Sequence, residues 1–506
     1  MPVTSSTFTL SKQEAGFRLK SSREYGQAGF GGVLSLVLTL VLLLNSFRWD
    51  DGGVKPVMLT VASAYLLFTL LQGIAYLLIR RDLLRHGEIS KSTRRLGYLL
   101  LPSLLTVNLF VGMAAFQLIK RRPNALYILA GYTVITTLLV FALSVLNLFK
   151  PYVADTFLLG MLLLLIAAGI QLISLLLIAK YGDRDQLPGW MAIVAIALIT
   201  TVLLGNLFAL FLGTLILAKL RDRGHTSGSK MNNVIDRLSR SSTSMLGLFF
   251  IIFLFSVSVS SYMTFDYSMA IDNNYSAILQ PPSLTYPLGT DNYGRCLFSR
   301  IVFGARISLV VGFLSTLLPV IVGGTLGAIS GYYGRRTDNL IMRVLDILYA
   351  IPALLLAIAI IAAFGASTVN LILALSVAAI PTYARTMRAN VMLVSTLEYV
   401  QAARAFGSSD FTILFKHIVP NSIAPMIVKS TLTIGSAVIA TSSLSYLGLG
   451  VEPHIPEWGN ILKLGSAYLE THSFTAIYPG LAIIALVLSF NFLGDGLRDA
   501  LDPKLD

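Results

Sequence analysis

The chain has 506 residues, of which 55% are hydrophobic and 12% are charged, and its mean hydropathy is +0.76. Because globular domains carry about 25% charged residues, this composition excludes a soluble globular protein and indicates a polytopic membrane protein. The net charge of +13 does not predict a nucleic-acid partner, because the basic residues lie mostly in short loops beside apolar runs. The single cysteine, Cys296, excludes a disulfide framework within the chain.

The first half of the chain predicts a cytosolic tail at 1–28, followed by an N-terminal transmembrane bundle at 29–218. The bundle contains six apolar runs, each long enough to cross a bilayer core of about 30 Å. The runs lie at about 30–47, 57–79, 97–119, 124–149, 156–179 and 189–218.

Six spans place seventeen lysines and arginines on the inner side and seven on the outer side, which agrees with the positive-inside rule. The cluster Lys120-Arg121-Arg122 then lies outside, against that rule, which leaves open that one early span is re-entrant. We find no convincing sequence repeat between the two halves. Similar endings such as Leu78-Ile79-Arg80-Arg81 and Leu118-Ile119-Lys120-Arg121 indicate ordinary basic flanking rather than duplication.

Residues 219–242 predict a cytosolic linker and interfacial helix, and a second membrane domain follows at 243–506. Its six predicted spans bring the total to about twelve transmembrane helices in an all-α fold, with both termini in the cytosol. Long outer segments follow the first and fifth of these spans, at Thr264–Arg306 and Gly448–Ser473. The spans lie at about 243–263, 307–332, 344–364, 368–391, 424–447 and 475–494.

A polar loop, 398–420, lies between two apolar runs on the predicted cytosolic side. Its alanines favour a first helix, which Gly407 ends because glycine adopts a left-handed conformation without steric cost. Ser408 or Ser409 then caps a second helix, and Asp410 in its first turn suits the helix dipole.

The second helix of the loop is predicted to be amphipathic. Phe411, Leu414, Phe415 and Ile418 form one apolar stripe at helical spacing, and Pro420 is predicted to end the helix. The pattern alone leaves two interpretations: an interfacial helix that lies on lipid, or a helix–bend–helix that docks on a protein in the cytosol.

The sequence lacks the motifs that several enzyme classes require. It contains no phosphate-binding Gly-x-x-x-x-Gly-Lys-Ser/Thr loop, so ATP, if it drives this protein, is bound by another chain. No metalloprotease or serine-hydrolase motif occurs, and the five histidines are scattered, so we predict no catalytic, cofactor or metal site. The predicted spans contain almost no ionisable residues away from their ends, which argues against proton or ion coupling.

Several separated segments of the second half share a pattern. They are Gly289-Thr290-Asp291-Asn292-Tyr293-Gly294-Arg295, Gly304–Leu309, Gly448–Val451 with Trp458-Gly459, and Asn491–Pro503. Together they resemble the C-type permease subunit of dipeptide, oligopeptide and nickel ABC importers, which are type I importers. The resemblance covers about Met231 to Asp506, and the first six spans are an extension outside it. Cys296 stands where the family has an aspartate after Gly-Thr-Asp-x-x-Gly-Arg, so the salt bridge of that aspartate is in question.

The loop 398–420 resembles the ATPase-coupling motif of these permeases, which is Glu-Ala-Ala, three residues, Gly, nine residues, Ile-x-Leu-Pro. Here the sequence has Gln401-Ala402-Ala403, then Gly407, then His417-Ile418-Val419-Pro420 at the same spacing. The resemblance favours docking over lying on lipid, although Gln401 lacks the carboxylate of the motif. The residues expected to form the coupling surface are Glu398, Gln401, Ala402, Ala403, Gly407, Phe411, Leu414, Phe415, Ile418 and Pro420.

The resemblance implies a permease that works with other proteins in the bacterial cell membrane. The implied partners are a second, B-type permease, two cytosolic ABC ATPase subunits that bind ATP and Mg, an external solute-binding protein, and membrane lipid. Peptides are the implied cargo. The resemblance also implies that outer-loop residues face the binding protein, and these are Asp291, Gly294, Arg295 and Trp458.

Three alternatives stay open at this point. The first is an importer of nickel or a metallophore, because such importers share these motifs. The second is a twelve-span ion-coupled secondary transporter. Gly331–Arg336 resembles the basic inner loop of that class, but the class gives no reason for loop 398–420. The third is a membrane sensor or structural protein that acts through its N-terminal bundle.

Overall fold

The computed structural model describes residues 16, 18–19, 22–47, 53–121, 123–184, 186–221, 230–452 and 454–501. Most of the predicted tail and residues 222–229 of the predicted linker lie outside these residues. The described residues are helical, apart from turns and two isolated β-bridges. The predicted all-α membrane fold is therefore confirmed.

The first half, up to residue 240, contains nine described α-helices. Short 3-10 turns follow α3, α5 and α7, at Leu101–Thr106, Leu146–Phe149 and Thr201–Leu204. The helices are α1 (Arg23–Ser46), α2 (Pro56–His86), α3 (Lys91–Leu100), α4 (Leu109–Ile119), α5 (Ala125–Val145), α6 (Phe157–Tyr181), α7 (Met191–Thr200), α8 (Leu207–Arg221) and α9 (Lys230–Arg240).

The second half continues with long helices separated by two outer segments and loop 398–420. The helices are α10 (Ser242–Thr264), α11 (Ser268–Ile271), α12 (Leu297–Tyr333), α13 (Arg335–Ala350), α14 (Ala353–Phe364), α15 (Thr368–Val394), α16 (Glu398–Ala405), α17 (Asp410–Thr412), α18 (Val419–Ser422), α19 (Ala424–Tyr446), α20 (Trp458–Ser466) and α21 (Phe474–Leu501).

Within the described ranges, nine helices are long and apolar enough to cross a membrane, and α13 with α14, which meet at 84°, would make a tenth span. These match ten of the twelve predicted spans. The other two predictions, 97–119 and 189–218, are not met as continuous helices. Each segment consists of two short helices joined at a break, α3 with α4 and α7 with α8.

The first broken segment folds back on itself. A Cβ on Gly97 in α3 would lie 3.1 Å from Ala115 O in α4. Arg94, at the start of α3, donates a hydrogen bond of 2.7 Å to Lys120 O, just after the end of α4. The two ends of the segment therefore lie side by side, and its tip is formed by the turn at Val107, where φ is 60°.

The second broken segment has the same form. A Cβ on Gly213 in α8 would lie 2.9 Å from Ala195 O in α7. The turn between the two arms contains Gly205, where φ is 89°, followed by Asn206. In both hairpins a glycine thus permits close packing of the two arms, as small residues do between membrane helices.

The polar tip of the first hairpin is satisfied within the chain. Asn108 is fully buried, and its Nδ2 donates to Ser35 Oγ at 2.7 Å. Ser35 Oγ in turn lies 2.6 Å from Thr69 Oγ1, so α1 and α2 both hold the tip. Because unpaired polar groups are costly in a bilayer core, these contacts allow a non-helical turn among apolar helices.

The order of two long helices and one hairpin occurs twice in the first half, first in α1–α4 and then in α5–α8. This repeat lies within the first half, and the similar endings at Arg81 and Lys120 both fall in its first copy, so their interpretation as basic flanking stays a prediction. A serine or asparagine also caps the first helix of each copy, since Tyr25 N donates to Ser22 Oγ and Tyr127 N donates to Asn124 Oδ1. Three pairs of segments match in sequence. Tyr25-x-x-Ala28-Gly29 matches Tyr127-x-x-Ala130-Gly131, Gln72 to Ile79 matches Gln171 to Ile178, and Asn108-Leu109-Phe110 matches Asn206-Leu207-Phe208.

The chain divides into two compact units. Unit 1 comprises Met1–Leu139, Ala168–Thr200 and Phe208–Ser242, and unit 2 comprises Val140–Ala167, Thr201–Leu207 and Thr243–Asp506. The last segment of unit 2 begins at Thr243, where the second membrane domain is predicted to begin, but unit 2 also includes residues 140–167 and 201–207 of the first half.

Within unit 2, the connection between α5 and α6 is held by polar contacts to the helices that follow residue 243. Asn147 Nδ2 donates to Thr264 O at 2.8 Å. Lys150 Nζ donates to Ser299 Oγ at 2.8 Å and lies 5.0 Å from the Phe265 ring centroid. Part of the N-terminal extension is thus packed into the same unit as the second membrane domain.

Because each hairpin returns to the side on which it starts, we expect Lys120, Arg121, Lys180 and Arg184 on the inner side. Of the lysines and arginines among the described residues up to 221, only Lys55 and Lys150 then remain outside, in agreement with the positive-inside rule.

In a Cys296→Ser background, Arg121→Cys should react with a membrane-impermeant maleimide only in inside-out vesicles, and Lys55→Cys only in right-side-out cells. Labelling of Arg121→Cys from outside would instead support a continuous span at 97–119.

Candidate functional site

The first helix of loop 398–420 ends as predicted. Helix α16 stops where Gly407 takes a φ of 77°. Gly407 N donates to Arg404 O at 3.0 Å, and Ser408 N donates to Ala403 O at 3.1 Å, so the last carbonyl groups of the helix are satisfied.

The second helix begins as predicted but does not end at Pro420. Ser409 Oγ accepts a hydrogen bond of 3.4 Å from Thr412 N, and α17 continues through a π-helical turn, Ile413–Ile418, into α18. Proline lacks an N–H and its ring clashes with the carbonyl group four residues earlier. The wider π turn immediately before Pro420 accommodates this ring, so the helical path continues to Ser422.

The π turn also changes which side chains face the protein. Leu414 and Ile418 are buried, as the predicted stripe requires, and Ile413 joins them. Phe411 instead is 70% exposed, and Phe415 is half-buried with its ring 4.8 Å from that of Phe411. The predicted stripe therefore splits, because the spacing of a π turn is wider than the 3.6-residue period on which the prediction rests.

One face of the loop is fixed to the membrane helices. Val400, Ile413, Leu414 and Ile418 are each at most 1% exposed. They share one apolar cluster with the end of α15 and with parts of α12 and α19, which contribute Ala328, Tyr383, Met387, Val391, Val394 and Met426. Burial of a side chain of this size contributes about 1.5–3 kcal/mol, so the cluster holds the loop firmly.

Polar contacts reinforce this attachment. Tyr332 OH, at the end of α12, donates to Asp410 Oδ1 at 2.6 Å. Arg388 in α15 donates through Nε to Asp338 Oδ1 in α13 at 2.6 Å. The parts of α12, α13 and α15 that lie near the loop are thereby joined to one another and to the loop.

Helices α12 and α15 approach closely along a stripe of glycines. A Cβ at Gly331 would lie 2.8 Å from Arg388 O, and one at Gly327 would overlap Ala384 O. Small residues at this spacing allow membrane helices to pack with their backbones in contact. The two helices and the loop therefore pack directly against one another.

The opposite face of the loop is exposed and partly aromatic. Phe406 is 90% exposed and Phe411 is 70% exposed, and the shorter side chains around them are also exposed. Large exposed aromatic residues on a loop whose other face is buried are typical of a protein-binding surface. Of the predicted coupling residues, Glu398, Gln401, Ala402, Gly407, Phe411 and Pro420 lie on this exposed face, while Ala403 and Phe415 are half-buried.

Sequence reasoning missed Phe406, which is the most exposed large apolar residue of the loop. It lies between the helices, directly before Gly407, and therefore belongs to neither helical period. An isolated phenylalanine beside a predicted helix-ending glycine was the available signal.

The outer-loop residues expected to face a binding protein are instead buried. Asp291 is 4% exposed, and its carboxylate accepts hydrogen bonds from Tyr293 N at 2.9 Å, Arg295 N at 3.0 Å and Arg295 Nε at 2.7 Å. Gly294 has a φ of 74°, and a side chain there would overlap Asn274. Asp291, Gly294 and Arg295 therefore shape the turn rather than present a surface.

Trp458 is also buried. It has no exposed surface, and its Nε1 donates to Ile301 O at 2.9 Å. Its ring packs on Gly304, where a Cβ would lie only 2.6 Å from Trp458 Cδ1. The tryptophan therefore joins the second outer segment to the start of α12.

Residues 323–506 match the family model described as the inner membrane component of binding-protein-dependent transport systems. The dipeptide transport system permease protein of Alkalihalophilus pseudofirmus is 41% identical over 281 residues, covering 56% of this chain and 92% of that protein. Glutathione transport system permease proteins are 42% identical in Pectobacterium atrosepticum and 40% in Escherichia coli, covering 51% and 53% of this chain and 85% and 89% of theirs.

A solved structure, the inward-facing methionine ABC transporter MetNI, is also similar, with 20% sequence identity and a TM-score of 0.34. The match covers 40% of this chain and 97% of that chain.

The helical membrane fold and the permeases to which the second half is similar define this protein as a transport permease. The chain belongs to the family of inner membrane permease components of binding-protein-dependent transport systems, the permeases of type I ABC importers. It carries an additional N-terminal extension with several spans. It is a multi-pass protein of the bacterial inner membrane. Its membership of this family replaces the alternative of a secondary transporter.

Cys296 leaves a neighbouring arginine incompletely paired. It is buried at the N-cap of α12 and provides no side-chain cap. One turn later, Arg300 has no exposed surface, and its Nη1 donates to Ala270 O at 2.8 Å. Its Nε and Nη2 make no hydrogen bond within the described residues, although Nε lies 3.6 Å from Asp291 Oδ2.

We expect Cys296→Asp to stabilise the protein, because aspartate is a preferred N-cap and can also pair with Arg300. A hydrogen bond to a charged group contributes about 1.5–3 kcal/mol, so the melting temperature of the purified chain should rise by several degrees. Cys296→Ser, which can cap the helix but adds no charge, should recover only a small part of this gain. A lower melting temperature for Cys296→Asp would contradict the assigned role of the site.

Proposed function

We propose that this chain pairs with a second, B-type permease and that loop 398–420 docks on one of two cytosolic ABC ATPase subunits. The supporting observation is the exposure of Phe406 and Phe411 on a loop whose other face is anchored by Val400, Leu414 and Ile418. ATP and Mg are bound by the ATPase subunits in this proposal, and this chain binds no cofactor.

The proposed mechanism is mechanical. Closure of the ATPase pair on ATP pulls the two docked loops, one on each permease, towards each other. Because the loop is packed into the ends of α12 and α15, its displacement moves those helices as a unit. Such rigid-body motion opens the transport path alternately to the two sides of the membrane, with both chain termini in the cytosol.

A solute-binding protein would deliver the cargo on the outer side. The buried turn at Asp291 and the buried Trp458 support this surface from beneath. The exposed side chains available for contact in the first outer segment include Tyr275, Leu284 and Tyr293.

The proposed cargo is a short peptide. The relatives reported above are described as dipeptide and glutathione permeases, which favours di- or oligopeptides over nickel or a metallophore. Calorimetric titration of the cognate binding protein with dipeptides, glutathione and nickel distinguishes these cargoes. Tight binding of nickel alone would overturn the peptide assignment without affecting the coupling proposal.

The docking proposal predicts that Phe406→Asp and Phe411→Asp each lower uptake by reconstituted transporter about tenfold or more. Truncating a hot-spot residue of an interface costs about 2 kcal/mol or more, and about 1.4 kcal/mol corresponds to a factor of ten. Co-purification of the ATPase subunits should fall in parallel, while the amount of chain in the membrane stays unchanged.

Phe406→Leu is the matched control, since it keeps an apolar side chain at the same exposed position and should retain most of the uptake. If both aspartate variants transport normally and retain the ATPase, the loop does not dock through this face.

A further inference from the structure

Unit 1 contains a charged cleft of about 1020 Å³ that the transport role does not use. It lies where the ends of α1, α4, α5, α6 and α8 meet one side of α9. Its lining includes Arg23, Lys120, Asp183, Asp236 and Arg240.

The lining carries more positive than negative charge, with five basic and three acidic side chains. One carboxylate, Asp236, serves two arginines: its Oδ1 lies 3.2 Å from Arg23 Nη2, and its Oδ2 lies 2.5 Å from Arg240 Nη2. Burial raises the pKa of Asp236, but hydrogen bonds from Arg240 and Arg23 outweigh this effect and keep the pKa below its usual value. The carboxylate is therefore ionised at neutral pH and still leaves an excess of cationic groups.

Lys120 is the most informative group in the cleft. Its side chain is nine-tenths buried, and Nζ lies 3.0 Å from Asp183 Oδ2 and 4.9 Å from the Tyr127 ring centroid. Nζ nevertheless makes no hydrogen bond of good geometry within the described ranges. An ammonium group has three donors, so Lys120 holds donors that no described residue accepts in good geometry, although Nζ itself is buried beside Asp183.

The cleft lies at the depth of lipid headgroups. It is lined by the first residues of α1 and the residues just before α5 and just after α6, and all three helices are long and apolar enough to span a membrane. The helix starts of α1 and α5 add positive dipole ends to the same site. Basic pockets between membrane helices on the cytosolic side are suited to phosphate groups of anionic lipids.

We propose that this cleft binds a phosphate-bearing anion. The anion would contact α9 and the helix ends of both copies of the repeat. An anionic phospholipid headgroup and a soluble phosphate share this chemistry. The bound phosphate would accept hydrogen bonds from Lys120, Arg240 and Arg23 and would hold α9 against the ends of the repeat helices.

The test uses the full chain, purified with its co-purifying subunits and reconstituted in phosphatidylcholine nanodiscs. The melting temperature is measured after addition of about one third phosphatidylglycerol, or of inorganic phosphate in pure phosphatidylcholine. We expect the melting temperature to rise by several degrees, because a ligand that binds only the folded protein stabilises it. A rise with phosphatidylglycerol alone identifies the lipid as the ligand, and a rise with phosphate identifies a soluble anion.

Two variants and one control make the site specific. Lys120→Gln and Arg240→Gln should each lose at least two thirds of the rise, and Arg240 is exposed enough that its replacement should not impair folding. Arg95→Gln removes the same charge from an exposed position of α3 outside the cleft and should keep the full rise. An equal rise in all proteins, or no rise with either anion in the unmodified chain, would overturn the proposal.

Discussion

The packing of Val400, Ile413, Leu414 and Ile418 against the ends of α12 and α15 is the interaction on which the transport account depends. A polar loop of this length would otherwise be free to move independently of the membrane helices. Because these four residues are each at most 1% exposed, a force applied to the exposed face of the loop is transmitted to the helices. The glycine contacts between α12 and α15 extend this packing along the parts of the two helices nearest the loop.

A second constraint is the bilayer, which requires each backbone polar group to be paired inside the protein. The N-terminal extension satisfies this constraint with two hairpins whose arms pack through Gly97 and Gly213. In the first hairpin, the side chain of Asn108 is paired with Ser35. This arrangement returns the basic ends of the hairpins to one side and brings them together around a charged cleft. The duplication thus accounts for the cleft, because equivalent helix ends of both copies contribute to it.

Local features of the fold were predictable from the sequence. Gly407 ends a helix and Ser409 caps the next because both effects involve only neighbouring residues. The outward position of Phe411 was not predictable, since the π turn that shifts it depends on tertiary packing. The burial of Asp291 and Trp458 likewise depends on distant partners such as Ile301. Hydropathy cannot separate a span from a hairpin of equal length, although the basic cluster at Lys120 was a usable signal.

The central claim is that loop 398–420 moves together with α12. In a Cys296→Ser background, spin labels at Lys416→Cys on the loop and Val310→Cys on α12, both exposed, allow their separation to be measured by double electron–electron resonance. The account predicts the same distance distribution in the assembled transporter without nucleotide and with ATP bound. A shift of several ångströms on ATP binding would show that the loop moves independently of the helix and would contradict the account.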